Sequence, residues 1–283
     1  MGRFWERLAY VAAGRRREPE NAFDWIRGSV GSRENPDGMR SLLHAGIALA
    51  LLCVVIDLAV LWRHAWSAWP LFAFLHTAWV AAILISTVLN VGFLETLDGR
   101  RRPGLGGPNV LTLLRGFALP VLVYVLAHRD YGLGVFLYGA ITLTDAVDGW
   151  WARRYDLRTK LGVVLDPIMD AFLHLSVFVT LGLVGLLSPV ALILILSRSG
   201  LVLLGSGLLY LWKGQVRIQP TPFGKGTGLL LAAATFLLLG LRGLFPGWAP
   251  EVVEATRTLV TILLGLSVLH AVAIGAINLA RRG

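Results

Sequence analysis

Apolar residues recur along the chain in runs of about twenty, separated by short polar stretches rich in glycine, proline and arginine. A helix of that length is what the hydrocarbon core of a bilayer requires. The strand-period alternation that marks a membrane barrel is absent. The pattern therefore predicts an all-α, polytopic integral membrane bundle. Eight spans are expected, at about 41–62, 70–94, 109–127, 133–153, 166–187, 189–212, 225–245 and 257–279. Proline punctuates the joints, at Trp69-Pro70, Gly107-Pro108, Ser188-Pro189, Pro220 to Pro222 and Pro246 to Pro250. Before the first span, residues 1–40 are polar and arginine-rich. Phe4, Trp5, Leu8 and Val11 fall there at roughly helical spacing among Arg3, Arg7 and Arg15 to Arg17. That spacing suits an interfacial amphipathic helix as well as it suits an unstructured basic leader. No A-x-A-like cleavage site follows the first apolar run, and internal repeats are not evident.

Composition agrees with the pattern: the 283 residues are 56% hydrophobic and only 15% charged, where soluble domains carry nearer 25% charged residues. The net charge of +9 sits in short clusters between apolar runs. It reads as topology information rather than as a nucleic-acid surface. With the N-terminus placed in the cytoplasm, twenty Lys and Arg fall in cytoplasmic segments and four (Arg63, Arg129, Arg242 and Arg257) on the other side. The imbalance predicts an inner or plasma membrane protein with both termini cytoplasmic. Cys53 is the only cysteine, so an intramolecular disulfide and a cysteine-based metal site are excluded.

One segment contradicts the apolar background. Residues 145–170 read DAVDGWWARRYDLRTKLGVVLDPIMD and hold two close pairs of aspartates, Asp145 with Asp148 and Asp166 with Asp170, besides Asp156 between them. An ionised aspartate near the bilayer centre costs about 2.5–3.5 kcal/mol on insertion scales, so four together need a compensating charge. Asp145, Asp148, Gly149 and Ala152 follow i, i+3, i+4, i+7 and share one helical face. Asp166 and Asp170 share a face of the next helix, with Gly162 a turn before them. The stretch between Arg154 and Leu165 reads as a cytoplasmic turn, which brings both pairs to the same membrane boundary. Oxygen-only ligands point to hard cations, Mg²⁺ or Mn²⁺. Four carboxylates match the charge of two such ions, an arrangement suited to phosphoryl transfer. Arg153 stands where it can meet phosphate oxygens. Simpler roles compete: Asp166-Pro167 also reads as a helix N-cap with proline in the first turn, and Asp145 and Asp148 could pair with Arg153 and Arg154.

The pattern D-x-x-D-G-x-x-A-R, eight residues, then G-x-x-x-D-x-x-x-D resembles the signature of the CDP-alcohol phosphotransferases. Asp145, Asp148, Gly149, Ala152, Arg153, Gly162, Asp166 and Asp170 fill every fixed position. Upstream, Pro108-Asn109 with Thr112, Arg115 and Pro120 is similar to the family's opening segment. Downstream, Gly224-Lys225 with Thr227 is a looser match. The resemblance covers about residues 105–280. It implies three parts: a basic leader over 1–40, two added spans over 41–98 and a six-helix catalytic core over 99–283. It also implies attack of an alcohol on the β-phosphorus of a CDP-linked donor, with release of CMP. Asp145, Asp148, Asp166 and Asp170 would hold two divalent cations, and Asp170 would also take the alcohol proton. Asn109, Thr112, Asp145, Gly149, Ala152 and Arg153 would contact the CDP moiety. A homodimer is expected on the same ground.

CDP-diacylglycerol is the expected donor and phospholipid the product; transfer from a soluble CDP-alcohol to a lipid acceptor is the alternative within the family. TKLGVVLDPIMD looks closest to the phosphatidylglycerophosphate and cardiolipin synthase branch, although Ala171 stands where that branch usually has lysine. Arg115, Arg198 and Lys225 are expected to bind an anionic acceptor. Arg198 alone interrupts an apolar span, while Lys225 could instead snorkel. A transporter would also use intramembrane acids, but at the midplane rather than at one boundary. Asp57 and His76, at similar depth in the two added spans, are expected to pair with one another.

Overall fold

The computed structural model describes residues 35–64, 69–205, 221–247 and 249–280. The interfacial helix considered around Phe4 to Val11 lies outside the described residues. Among the described residues the chain is helical and the only extended pairing is two isolated bridges. The helices are α1 (Pro36–His64), α2 (Trp69–Leu89), α3 (Gly107–Ala127), α4 (Tyr131–Arg154), α5 (Lys160–Leu183), α6 (Pro189–Gly200), α7 (Pro222–Gly243) and α8 (Pro250–Ala280). The proline joints act as helix starts. Ser188 caps α6 by accepting from the Ala191 amide, and Thr221 caps α7 by accepting from the Gly224 amide, each with proline in the first turn.

Six of these helices are long and apolar enough to cross a membrane: α1, α2, α3, α5, α7 and α8. The expected spans α4 and α6 do not meet that measure among the described residues. α4 is 24 residues long, but Asp145, Asp148, Arg153 and Arg154 dilute its apolarity. α6 stops at Gly200 and gives way to a wider π-helical turn over Leu201–Gly205. Large apolar side chains stay exposed along the spans, among them Leu51, Phe74, Leu183 and Leu229, as lipid-facing surfaces require.

The chain divides into two compact units, one formed by residues up to Tyr124 with Ala140–Asp170, the other by Val125–Gly139 with Ala171 onward. The first unit holds α1 and α2 together with most of α3, the later part of α4 and the first part of α5. In the second unit α8 packs along α6 and α7, and Thr221 Oγ1 meets His270 Nε2 at 2.8 Å.

The first unit has its own apolar core, with Leu42 and Leu49 from α1, Val80 and Ile83 from α2, Leu113 and Phe117 from α3, and Leu165 and Met169 from α5. α2 ends at Leu89, five residues before the expected limit. The chain then folds back over Leu94–Arg102, where Arg102 N donates to Leu94 O and Thr96 N to Arg100 O, at 3.0 and 2.8 Å. Gly99 takes the positive φ this reversal needs. The resulting strap holds the turn between α4 and α5. Lys160 N donates to Glu95 O at 3.0 Å, Lys160 Nζ meets Glu95 Oε1 at 2.5 Å, and Arg102 Nη2 donates to Asp156 O at 2.8 Å.

That turn departs from expectation. α5 begins at Lys160, so only residues 155–159 separate it from α4. Its cap is Thr159, whose Oγ1 accepts from the Gly162 amide at 3.0 Å. Asp166 is therefore not an N-cap, and Pro167 lies within the helix. α4 is closed by Asp156 in the left-handed region, with Leu157 N returning to Ala152 O at 3.0 Å.

Candidate active site

All four aspartates lie in the first unit, Asp145 and Asp148 on α4 and Asp166 and Asp170 on α5. All four lie within ion-pair distance of Arg115 of α3. Its Nη1 is ion-paired with Asp145 and lies 3.7 Å from Asp148 Oδ2; its Nη2 lies 3.8 Å from Asp166 Oδ1 and 3.7 Å from Asp170 Oδ1. The Arg115 side chain is 1% exposed and that of Asp148 is 5%, whereas Asp145, Asp166 and Asp170 are each a little over 40% exposed. The cluster thus has a closed floor, Arg115 and Asp148, and an open rim of three carboxylates. The four carboxylates outnumber the Arg115 guanidinium that meets them all.

The compensating charge demanded by the sequence is therefore Arg115, not Arg153 or Arg154. From the sequence, Arg115 is expected at an acceptor; the structure places it among the carboxylates. The signal available was its register: Asn109, Thr112 and Arg115 are spaced i, i+3, i+6, so they follow one side of α3. Thr112 Oγ1 reaches Asp166 Oδ1 at 2.7 Å and the Pro108 carbonyl at 3.1 Å. Asn109 is buried and points instead to the start of α5, with Nδ2 3.0 Å from Thr159 Oγ1 and 2.6 Å from Leu105 O. A Cβ on Gly162 would stand 2.7 Å from Asn109 Oδ1, so glycine is what lets α3 and α5 close up here. Thr159 joins these elements and was not singled out from the sequence.

Gly149 and Ala152 lie along α4 beside the cluster, and Arg153 folds back so that a Cβ on Gly149 would sit 3.1 Å from its Nη1. Arg153 is otherwise exposed and able to meet an anion. Arg198, half-buried, and Lys225, exposed, belong to the second unit. The structure thus brings together Thr112, Arg115 and the four aspartates, with Asn109 one turn away.

Carboxylate oxygens are the donors that Mg²⁺ and Mn²⁺ prefer, and the rim faces outward, so the donor chemistry fits a hard cation. Among the described residues, no group of three such side chains already closes on one ion position, and Arg115 takes the central place. A cation and Arg115 would have to share the carboxylates.

Polytopic helices carrying a carboxylate cluster with an exposed arginine beside it have the chemistry of a membrane protein that handles cations and phosphate-bearing ligands. The comparisons make this specific: residues 106–274 match the CDP-alcohol phosphatidyltransferase family, and the chain belongs to it. Such enzymes make phospholipid from a CDP-linked donor and an alcohol acceptor. The chain is 33% identical over 173 residues to the CDP-diacylglycerol–glycerol-3-phosphate 3-phosphatidyltransferase of Rickettsia bellii, covering 58% of this chain and 93% of that protein. It is 27% identical over 145 residues to the enzyme of the same name from Aquifex aeolicus, 49% of this chain and 77% of that one. Human cardiolipin synthase (CMP-forming) is 32% identical over 116 residues, 41% of this chain and 37% of that protein. No solved structure matches the chain.

Proposed function

We propose that the chain transfers a phosphatidyl group from CDP-diacylglycerol to an alcohol that itself carries phosphate, glycerol 3-phosphate first, at the cytoplasmic face of the membrane. One observation carries this reading: four carboxylates from α4 and α5 meet around Arg115, with three of them open at the rim. The names of the similar proteins from Rickettsia bellii and Aquifex aeolicus support donor and acceptor alike.

Asp145, Asp148, Asp166 and Asp170 would hold Mg²⁺ or Mn²⁺, which when bound offsets the charge of the diphosphate. Arg153, exposed beside Gly149, meets the phosphate oxygens of the donor. Gly149 and Ala152 leave room for the nucleotide against α4. The acceptor oxygen forms a bond to the β-phosphorus, the bond from that phosphorus to the bridging oxygen breaks, and the electron pair leaves with CMP. Asp170, at the rim and one turn along α5 from Asp166, takes the hydroxyl proton.

The test is CMP release by the purified full chain from CDP-diacylglycerol with Mg²⁺ or Mn²⁺, offering glycerol 3-phosphate, phosphatidylglycerol, inositol and serine in turn. Release with glycerol 3-phosphate alone, abolished by EDTA, is expected. Release with another acceptor, or release indifferent to EDTA, overturns the corresponding part of the proposal.

A further inference from the structure

The family match begins at residue 106, which leaves α1 and α2 without an assigned role. Their polar side chains converge on the helix that carries Arg115. Pro120 lies inside α3 and has no amide hydrogen, so the Gly116 carbonyl one turn earlier lacks its helical donor. Trp79 of α2 supplies one, with Nε1 2.8 Å from Gly116 O. One residue further on, His76 Nε2 lies 2.8 Å from Phe117 O. A carbonyl only accepts, so Nε2 carries a proton and His76 is the donor. Its other nitrogen, Nδ1, is 2.7 Å from Asp57 Oδ2 of α1, which fixes the ring. His76 is buried. Gly116 itself is closed in, since a Cβ there would stand 2.7 Å from Met169 Sδ, next to Asp170 in sequence, and 3.2 Å from Ile83 Cδ1 of α2.

We propose that Asp57, His76 and Trp79 form a clasp that positions α3, and with it Arg115, for the transfer reaction. They act as positioning residues, reaching no substrate themselves. The two carbonyls they hold immediately follow Arg115, so the clasp sets the height and rotation of the guanidinium among the four aspartates. The proposal rests on the assignment of that cluster as the active site.

The full chain in detergent tests it. Trp79→Phe keeps most of the ring and removes only the donor; CMP release from CDP-diacylglycerol should then fall about tenfold in kcat, with donor KM within about twofold, the mark of misplacement rather than lost binding. His76→Gln keeps a donor for Phe117 O and should retain more activity than His76→Ala. A cycle of Trp79→Phe with Arg115→Met, followed by thermal unfolding, reads the coupling without activity; non-additive Tm shifts are expected. Unchanged kcat in Trp79→Phe overturns the proposal, and so do additive Tm shifts. An Asp148→Asn variant separates the two readings. If it retains full turnover, the site assignment fails. If it is inactive while Trp79→Phe is fully active, only the clasp fails.

Discussion

Arg115 and Asp148 form the floor of the cluster, and the rest of the site is arranged above them. Removing the buried cation would leave four neighbouring acids without their shared counter-charge. Arg115→Met should therefore cost about 3–5 kcal/mol of stability, read as a lower unfolding temperature of the solubilised protein. Asp148→Asn should leave that temperature nearly unchanged, since the remaining carboxylates still outnumber the guanidinium, yet lower CMP release by about two orders of magnitude. Gly162→Ala tests the approach of α3 to α5. Its new methyl would meet Asn109 Oδ1, and such overpacking costs about 1–3 kcal/mol.

Elements matter through their ends. α5 starts six residues before Asp166, so the two acids of α5 sit on a helix already fixed by its cap rather than on a fraying first turn. Thr159 supplies the cap, and its hydroxyl also meets Asn109. Thr159→Ala should cost about 1–2 kcal/mol, and chemical denaturation in detergent would measure it. Thr159→Ser, which keeps the hydroxyl, should restore most of the loss. The strap over Leu94–Arg102 acts on the same turn from outside the family-matched region, through Glu95 to Lys160 and Arg102 to Asp156. The left-handed Asp156 makes that turn short.

On the scale of the whole molecule the protein is a multi-pass membrane enzyme, and the distribution of Lys and Arg predicts cytoplasmic termini. Reporter fusions check that orientation: a fluorescent protein at the C-terminus should fold and fluoresce, whereas a phosphatase fused after Arg129 should be active outside the cytoplasm. The reverse pattern would place the aspartates on the wrong face for a CDP-linked donor. The helices that precede the family-matched region belong to the same compact unit as the carboxylates, which is why the clasp can influence the site.

The sequence by itself determined the helical membrane class and the shared faces of the two aspartate pairs, because hydropathy and helical period are local properties written in every turn. It also carried the family signature, residue types at a regular spacing, and the pairing of Asp57 with His76, two polar residues at similar depth in neighbouring apolar spans. Only the tertiary structure decided which cation answers the aspartates. Arg115 lies 30 residues from Asp145 along the chain, and no spacing rule links them. The start of α5 was likewise hidden, since Pro167 imitates a first-turn proline until Thr159 is seen to cap the helix. The bond from Trp79 to the carbonyl that Pro120 leaves free was illegible for the same reason. Which distant side chain fills a missing hydrogen bond depends on how helices pack, and packing is settled only when they are in contact.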